Sequence, residues 1–278
     1  MSKGVGEGVV ATGGEESRPG RLSEALVRLA RLWEETCRHA GELALLLWQT
    51  VVHLVRGRVP LRSILDEMHW MGVQSLPLVI ITALLSGVVT SQQGGYQFTS
   101  SIPLYVLGSV VTTSVVLELG PVLTAVVLIG RVGARITAEF GTMKVSEQID
   151  ALHSLGRDPV RVLAAPRIIA GVLTVPALVA IADLVGIFAG MVAAQATSGL
   201  GPEAFFYGAR LYWHNWNIVY SMMKAVTFGL AIPLIASHMG FRIRGGAEGV
   251  GRGTTTSVMF MTLAILILDA LFPPLFLN

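Results

Sequence analysis

Five apolar runs separated by polar segments dominate the hydrophobic pattern of the chain. Each run is long enough for a transmembrane α-helix, which needs about 20 predominantly apolar residues. The second and third runs are long enough to tilt or to protrude from a bilayer. The pattern therefore predicts an all-α integral membrane protein with five transmembrane helices. The runs are Val73–Gln92, Ile102–Ile129, Ile168–Ala196, Ile218–Met239 and Val258–Leu277. We expect residues 91–96 to form a polar turn after the first run, and residues 197–217 to form an aromatic-rich loop after the third.

The residues before the first apolar run divide into two parts. Residues 1–20 are rich in Gly and Glu and lack periodicity, which is typical of a disordered tail. Within residues 21–60, apolar side chains such as Leu22, Leu26 and Trp33 recur at helical spacing with arginines between them. A basic amphipathic helix that carries tryptophan is typical of the membrane interface, and we expect this segment to lie there. A helix packed against the cytoplasmic parts of a complex is the alternative.

A polar segment between the second and third runs has a helical periodicity of its own. Val145, Ile149 and Leu152 fall on one face, and acidic and amide side chains lie among them. We expect Ser146 to be the N-cap of this helix and Gly156 to end it. A helix this short cannot cross a bilayer. Its position between two spans favours docking onto a partner.

Composition and motifs exclude several classes of function. The chain is 53% hydrophobic and 14% charged, whereas soluble domains carry about 25% charged residues. A single cysteine excludes a disulfide framework, and the histidines lack metal-site spacing. There is no GxxxxGK[ST] phosphate loop and no GxSxG elbow, so we expect no enzyme, no cofactor in this chain and no nucleic-acid partner. The glycine-rich stretch Gly249–Gly253 is expected to be a flexible cytoplasmic loop.

The lysines and arginines predict the orientation in the membrane. Nine precede the first span, six lie from Arg131 to Arg167, and three lie between spans four and five. The opposite side carries only Arg210. The positive-inside rule therefore places the N-terminus in the cytoplasm and the C-terminus outside.

Four ionisable residues fall inside the apolar runs: Glu118, Asp183, Lys224 and Asp269. A charge at the bilayer centre costs about 2.5–3.5 kcal/mol or more, so such residues face a partner, a cavity or water. They could pair with one another and stabilise packing, or they could line a substrate pathway. For Glu118 we favour the pathway, and for Lys224 and Asp269 both interpretations stand. Pro121 is expected to kink the second span because it lacks a backbone donor.

Small residues repeat every four positions along the third run, at Ala182, Gly186, Gly190 and Ala194. This spacing allows two helices to approach closely. The pattern predicts tight packing, either within one subunit or between two.

The stretch from Leu117 to Arg167 strongly resembles the signature region of the MlaE/YrbE permease family. It reads LELGPVLTAVVLIGRVGARITAEFGTMKVSEQIDALHSLGRDPVRVLAAPR. The resemblance continues through PRIIAGVLTVPAL, SMMKAVTFGLAIPLIASHMGF and GVGRGTTTSVMFMTLAILILDALF. It therefore covers nearly the whole chain after the tail, and it implies that residues 61–278 form an MlaE-type permease domain.

The resemblance implies a role in an ABC-type transporter of glycerophospholipids in the bacterial inner membrane. The permease would be a homodimer that holds lipid in a cavity between the two copies. Two ABC ATPase subunits with ATP and Mg²⁺ would dock below it, in some systems with a STAS-domain protein. A ring of MCE-domain proteins would lie on the outer side.

The resemblance also implies roles for two sets of residues, with a cytoplasmic coupling helix over about Lys144 to Leu155. An arginine is expected in the family before the Glu of ELGP, and here that position is Leu117. The predicted ATPase-coupling residues are Glu139, Lys144, Glu147, Gln148, Asp150, Leu152, Arg157 and Asp158. The predicted lipid-pathway residues are Tyr96, Glu118, Pro121, Lys224 and Asp269.

Two other functions compete with this one. A gradient-driven secondary transporter could use Glu118 and Asp269 as proton carriers, although the five spans show no internal repeat. A non-transporting scaffold could anchor a peripheral complex through the polar helix, although it would not explain the charges inside the spans.

Overall fold

A computed structural model describes residues 21–57, 59–98 and 102–276, and these residues form helices without any strand. The predicted disordered tail lies outside the described residues. The chain divides after Glu42 into two compact units. The helices are α1 (Arg21–Val55), α2 (Leu61–Met68), α3 (Leu76–Gln97), α4 (Val106–Ser114), α5 (Gly120–Leu128), α6 (Ala134–Val145), α7 (Gln148–Ser154), α8 (Ala165–Ser198), α9 (Pro202–Leu211), α10 (Trp216–Phe241) and α11 (Gly246–Phe276).

Five helical stretches are long and apolar enough to cross a membrane, which confirms the predicted all-α architecture with five spans. We call them spans one to five. They run over Leu61–Gln97, Val106–Val145, Val160–Ser198, Trp216–Phe241 and Gly246–Phe276. We call the end that carries residues 146–159 and 242–245 the basic end. The opposite end carries residues 102–105 and the connection 199–215.

The helices extend past the apolar runs, and two predicted irregular segments are wrong for this reason. Residues 91–96, predicted as a polar turn, continue α3 to Gln97. The glycine-rich stretch Gly249–Gly253, predicted as a flexible loop, lies inside α11. Hydropathy detects only the part of a helix that lies in hydrocarbon, whereas backbone hydrogen bonding continues into the polar flanks.

Span two is not a uniform α-helix. It contains π-helical turns at Val115–Leu119 and Ile129–Gly133. The first of these turns lies directly before Pro121, where a kink was predicted. A π-turn is a common response where an intrahelical donor is missing or displaced. The proline therefore coincides with a local widening of the helix.

The repeat of small residues in span three packs within the subunit, against span one. A Cβ atom at Gly87 would fall on the backbone carbonyl of Gly186. A Cβ atom at Gly190 would lie 3.2 Å from the backbone oxygen of Gly87 on α3, and it would also collide with the side chain of Val111 on α4. The absence of side chains at these positions allows α3 and α8 to approach backbone to backbone. This contact resolves the choice that the sequence left open, in favour of packing inside one chain.

The connection after span three, predicted as an aromatic-rich loop, contains α9. This helix packs against α4 so closely that a Cβ atom at Gly208 would fall on the carbonyl of Tyr105. The rings of Tyr105 and Tyr207 meet edge to face with 5.5 Å between centroids. This connection at the opposite end is therefore a helix packed on α4 and not an irregular loop.

The largest buried cluster lies mainly among spans two to five and also includes Met71 of span one and Leu46 of α1. Its fully or almost fully buried members include Leu128, Ile136, Ile168, Phe228, Ile232 and Met261. Against this apolar background, the buried charged side chains are conspicuous.

Candidate functional site

Lys224 on α10 is fully buried among the spans, and its ammonium group has three partners. It donates to Glu118 Oε2 at 2.6 Å and to the backbone oxygen of Leu117 at 3.1 Å. It also forms an ion pair with Asp269 Oδ1 at 2.5 Å. Two of its three N–H groups therefore donate hydrogen bonds, and the contact with Asp269 is an ion pair without hydrogen-bond geometry. We call Glu118, Lys224 and Asp269 the outer cluster.

The local structure of span two explains why a backbone oxygen is available to Lys224. In the π-turn before Pro121, the N–H of Gly120 donates to the carbonyl of Val115, five residues back. Pro121 has no N–H and cannot donate to the carbonyl of Leu117 four residues before it. The Leu117 carbonyl is therefore left to accept from Lys224.

The outer cluster carries two carboxylates and one ammonium, and its accessible side is acidic. The side chain of Lys224 is 0% exposed, whereas those of Glu118 and Asp269 are 43% and 21% exposed. A part-exposed carboxylate within apolar spans would be costly against hydrocarbon. It is instead expected to face a polar cavity or a partner.

Aromatic and polar side chains on α10 surround the cluster. The ring centroid of Tyr220 lies 5.3 Å from the Lys224 nitrogen, and the ring meets Phe272 edge to face. Ser221 donates to Asp183 Oδ2 at 3.1 Å. The other oxygen of Asp183 occupies the space that a Cβ atom at Gly120 would need. Asp183 is therefore paired with a hydroxyl and is not part of the outer cluster.

The structure brings together three of the five predicted lipid-pathway residues and places Pro121 next to them. Tyr96 lies apart, near the end of α3, with a side chain open to the surroundings. The sequence left pairing and pathway as alternatives for the charged residues. The pairing is observed, and the pathway role stays a prediction.

The predicted coupling region forms a separate structure at the basic end. Ser146 is not an N-cap: its hydroxyl donates back to the carbonyl of Thr142 at 2.8 Å, because α6 runs on to Val145. The turn into α7 is made by Glu147, which has a positive φ of 59°. The short helix α7 then begins at Gln148.

Most of the side chains that α7 exposes are polar, and Leu155, directly after the helix, is exposed as well. Ile149 is buried and anchors the helix, and Leu152 is half-buried. Lys144 donates to both oxygens of Asp150, at 2.8 and 3.1 Å. The exposed members of the predicted set are Glu147, Gln148, Asp150 and Arg157.

Asp158 and Glu139 have partners inside the protein. One oxygen of Asp158 accepts from the backbone N–H of Val160 at 2.9 Å, and the other lies 2.8 Å from His53 Nε2. These contacts connect the segment after α7 to the C-terminal turn of α1. Glu139 is bound to Arg167, and its role is therefore at least partly structural.

Arg167 is a residue that the sequence reasoning missed, because it was counted only as a flanking charge. Its Nε donates to Glu67 at 2.9 Å and its Nη2 donates to Glu139 at 2.6 Å. Its guanidinium lies 4.4 Å from the ring centroid of Phe140, which stacks on Phe241. We call Glu67, Glu139 and Arg167 the inner cluster. The signal available in the sequence was an arginine directly after Pro166, at the start of an apolar run.

Comparison with known proteins supports a single family. The family described as Permease MlaE matches residues 64–274. A "Probable ABC transporter permease protein" of Synechocystis sp. is 37% identical over 79% of this chain and 83% of its own length. The "Intermembrane phospholipid transport system permease protein MlaE" of Haemophilus influenzae is 32% identical over 84% of this chain and 89% of its own length. The chloroplastic protein TRIGALACTOSYLDIACYLGLYCEROL 1 of Arabidopsis thaliana is 34% identical over 80% of this chain and 63% of its own length. The chain is a multi-pass membrane protein that belongs to the MlaE permease family.

Proposed function

We propose that this chain is the permease subunit of an ABC transporter that moves phospholipids to or from an MCE-domain partner. Its membership of the MlaE family supports this proposal, as does its likeness to a relative named for intermembrane phospholipid transport. The energy would come from ATP hydrolysed, with Mg²⁺, in a separate ATPase subunit.

The outer cluster is the observation that carries the proposal. It places two carboxylates and a buried ammonium among apolar spans, and one carboxylate is 43% exposed. Such a surface suits a polar cavity better than contact with lipid tails. In a homodimer of permeases, that cavity would lie between the two copies and hold the lipid. Tyr96 would lie at its outer end.

The helix α7 is proposed as the contact with the ATPase. Most of its exposed side chains are polar, and it is held at one end by the turn at Glu147. The distribution of lysines and arginines favours a cytoplasmic location for this end of the bundle, with the N-terminus inside and the C-terminus outside. A STAS-domain protein could bind the ATPase, and the MCE ring would lie over the opposite end.

A movement of α7 would be transmitted to α6 and from there to the other spans. Because α6 carries Glu139, a movement of α7 would act on Arg167 and through it on spans one and three. ATP binding and release would shift the permease between two states that hold lipid with different affinity. Differential affinity between states is all that coupling requires.

Charge reversal in α7, or in the turn directly before it, tests the proposed contact. We expect Glu147→Lys or Asp150→Lys to abolish ATPase docking, or to separate ATP hydrolysis from lipid transfer, while the protein still inserts into the membrane. Glu203→Lys is the matched control, because Glu203 is exposed on α9 at the opposite end. Both effects are measured with the purified complex in vesicles. Normal docking and normal transfer in both α7 variants would contradict the proposal.

A further inference from the structure

We infer that the outer cluster selects the ammonium group of a lipid head, as in ethanolamine or choline phospholipids, over heads that carry only negative charge. The inference rests on the proposed function, because it names the substrate class for the same site. Three features of the cluster lead to it: the enclosure of Lys224, the excess of negative charge, and the exposure of the carboxylates.

Lys224 cannot serve as a receptor for a lipid phosphate. Its side chain is 0% exposed, and its ammonium is enclosed by hydrogen bonds to Leu117 and Glu118 and by the ion pair with Asp269. A phosphate could reach the ammonium only by displacing a carboxylate that is already bound to it. That exchange would leave the displaced carboxylate without a counter-charge in a region of low dielectric.

The cluster carries one negative charge in excess, since two carboxylates face a single ammonium. Among the described residues, Lys224 is the sole basic side chain in an ion pair with either Glu118 or Asp269. The position next to Glu118 is Leu117, which adds no positive charge. The cluster therefore attracts a cation and repels an anion.

The atoms of the cluster that a ligand can reach are carboxylate oxygens. Glu118 Oε2 is bound to Lys224, and the side chain of Glu118 is 43% exposed. An ammonium that approaches the exposed carboxylate would complete a balanced set of two cations and two anions. The same approach by an anionic head group would bring like charges together in the membrane, which is destabilising.

Lipid selection by the purified protein tests the inference. The complex is placed in bilayers that contain equal amounts of phosphatidylethanolamine, phosphatidylcholine and phosphatidylglycerol, and the bound lipids are counted by native mass spectrometry. We expect both ammonium lipids to be enriched over phosphatidylglycerol by about fivefold, the scale of one part-exposed charge pair.

Two variants test whether the outer cluster causes the enrichment, and a third variant is the control. Glu118→Gln removes the exposed charge, and the enrichment should fall to about onefold. Leu117→Arg adds a cation beside Glu118, and the preference should shift towards phosphatidylglycerol. Glu203→Gln removes an exposed acidic charge on α9, away from the cluster, and should leave the enrichment as in the parent protein.

Other outcomes would overturn either this inference or the proposed function. Bound lipid without enrichment, or enrichment that survives Glu118→Gln, would overturn the inference and leave the proposed function intact. Enrichment of phosphatidylethanolamine alone would assign the preference to N–H donation and would contradict selection by charge. A complex that binds no lipid of any class would instead count against the proposed function itself.

Discussion

Lys224 and Arg167 are both buried cations, and each lies between two carboxylates on different helices. Lys224 joins span four to Glu118 on span two and Asp269 on span five. Arg167 joins span three to Glu67 on span one and Glu139 on span two. The two clusters have the same charge balance, so their difference comes from geometry and position.

The geometry of the inner cluster is suited to holding helices together. A guanidinium is a planar fork that can bind two carboxylates in fixed directions and stack on an aromatic ring, as Arg167 does on Phe140. Since Phe140 stacks on Phe241 at 4.8 Å between centroids, four spans meet at this point. It lies near the basic end of the bundle, next to the segment proposed to contact the ATPase.

The outer cluster is built as a receptor. An ammonium is a compact point charge, and Lys224 is enclosed so that its acidic partners form the accessible side. This cluster lies within the apolar part of the bundle, where an excess charge attracts a ligand more strongly than it would in water. The comparison indicates that a buried ion cluster can hold helices together at one depth and can recognise a ligand at another.

Removal of Arg167 is expected to have the largest effect on stability. Arg167→Met would leave Glu67 and Glu139 without their shared partner, and breaking a buried ion pair in this way costs about 3–5 kcal/mol. Thermal unfolding of the purified protein in detergent measures the loss. Arg252→Ala is the control, because Arg252 forms an exposed i,i+4 pair with Glu248. Equal unfolding temperatures for the two variants would show that Arg167 does not hold the spans together.

Removal of Lys224 should lower stability slightly less, and removal of its two carboxylate partners as well should restore most of that stability. Lys224→Met leaves Glu118 and Asp269 without their cation; because both carboxylates are partly exposed, we expect a combined cost of about 2.5–3.5 kcal/mol, the scale of a single charge at the bilayer centre. The triple variant Glu118→Gln, Lys224→Met, Asp269→Asn removes every charge and should regain most of the stability. It should nevertheless transfer no lipid. A triple variant that transfers lipid normally would contradict the receptor role of the outer cluster.

Pro121→Ala is expected to affect function more than stability. The restored N–H would compete with Lys224 for the carbonyl of Leu117, and one hydrogen bond would replace another at a net difference of about 1 kcal/mol or less. Lipid transfer should fall several-fold while the unfolding temperature hardly changes. Leu119→Ala on the same turn is a control for altered packing. If Pro121→Ala transfers lipid as the parent does, the freed carbonyl has no functional role.

The smallest expected effect is a gain of stability at the turn before α7. Glu147 has a φ of 59°, a conformation that glycine adopts without strain. Glu147→Gly should therefore stabilise the isolated permease by less than about 1 kcal/mol, measured by chemical or thermal unfolding. The same variant removes an exposed acid of the proposed ATPase contact, so weaker docking should accompany the gain. A loss of stability would contradict the assignment of strain to Glu147.

The sequence predicts the spans well because a bilayer imposes one length scale on every apolar run. It predicts helix ends poorly, as at Gln97 and at Gly249–Gly253, because polar helix continues outside the hydrocarbon. Ser146 has a good N-cap side chain, but the preceding helix reaches it first.

The partners of the charged residues could not be predicted from the sequence. In the sequence, Glu118 is more than a hundred residues away from both Lys224 and Asp269. Whether the three side chains meet depends on how their three helices are rotated about their axes. Hydropathy contains no information about that rotation. The same reason explains why Arg167 was missed. The spacing of Gly186 and Gly190 was enough to predict close helix packing, but it did not show which helix would be the partner.

The most direct test is lipid transfer by the chain purified from its native membrane with its associated proteins and reconstituted into vesicles with labelled phospholipid. We predict that an ATPase and an MCE-domain protein copurify, that transfer requires hydrolysable ATP, and that a protonophore has no effect. Transfer that continues without ATP and follows a proton gradient would contradict the account and would favour a secondary transporter.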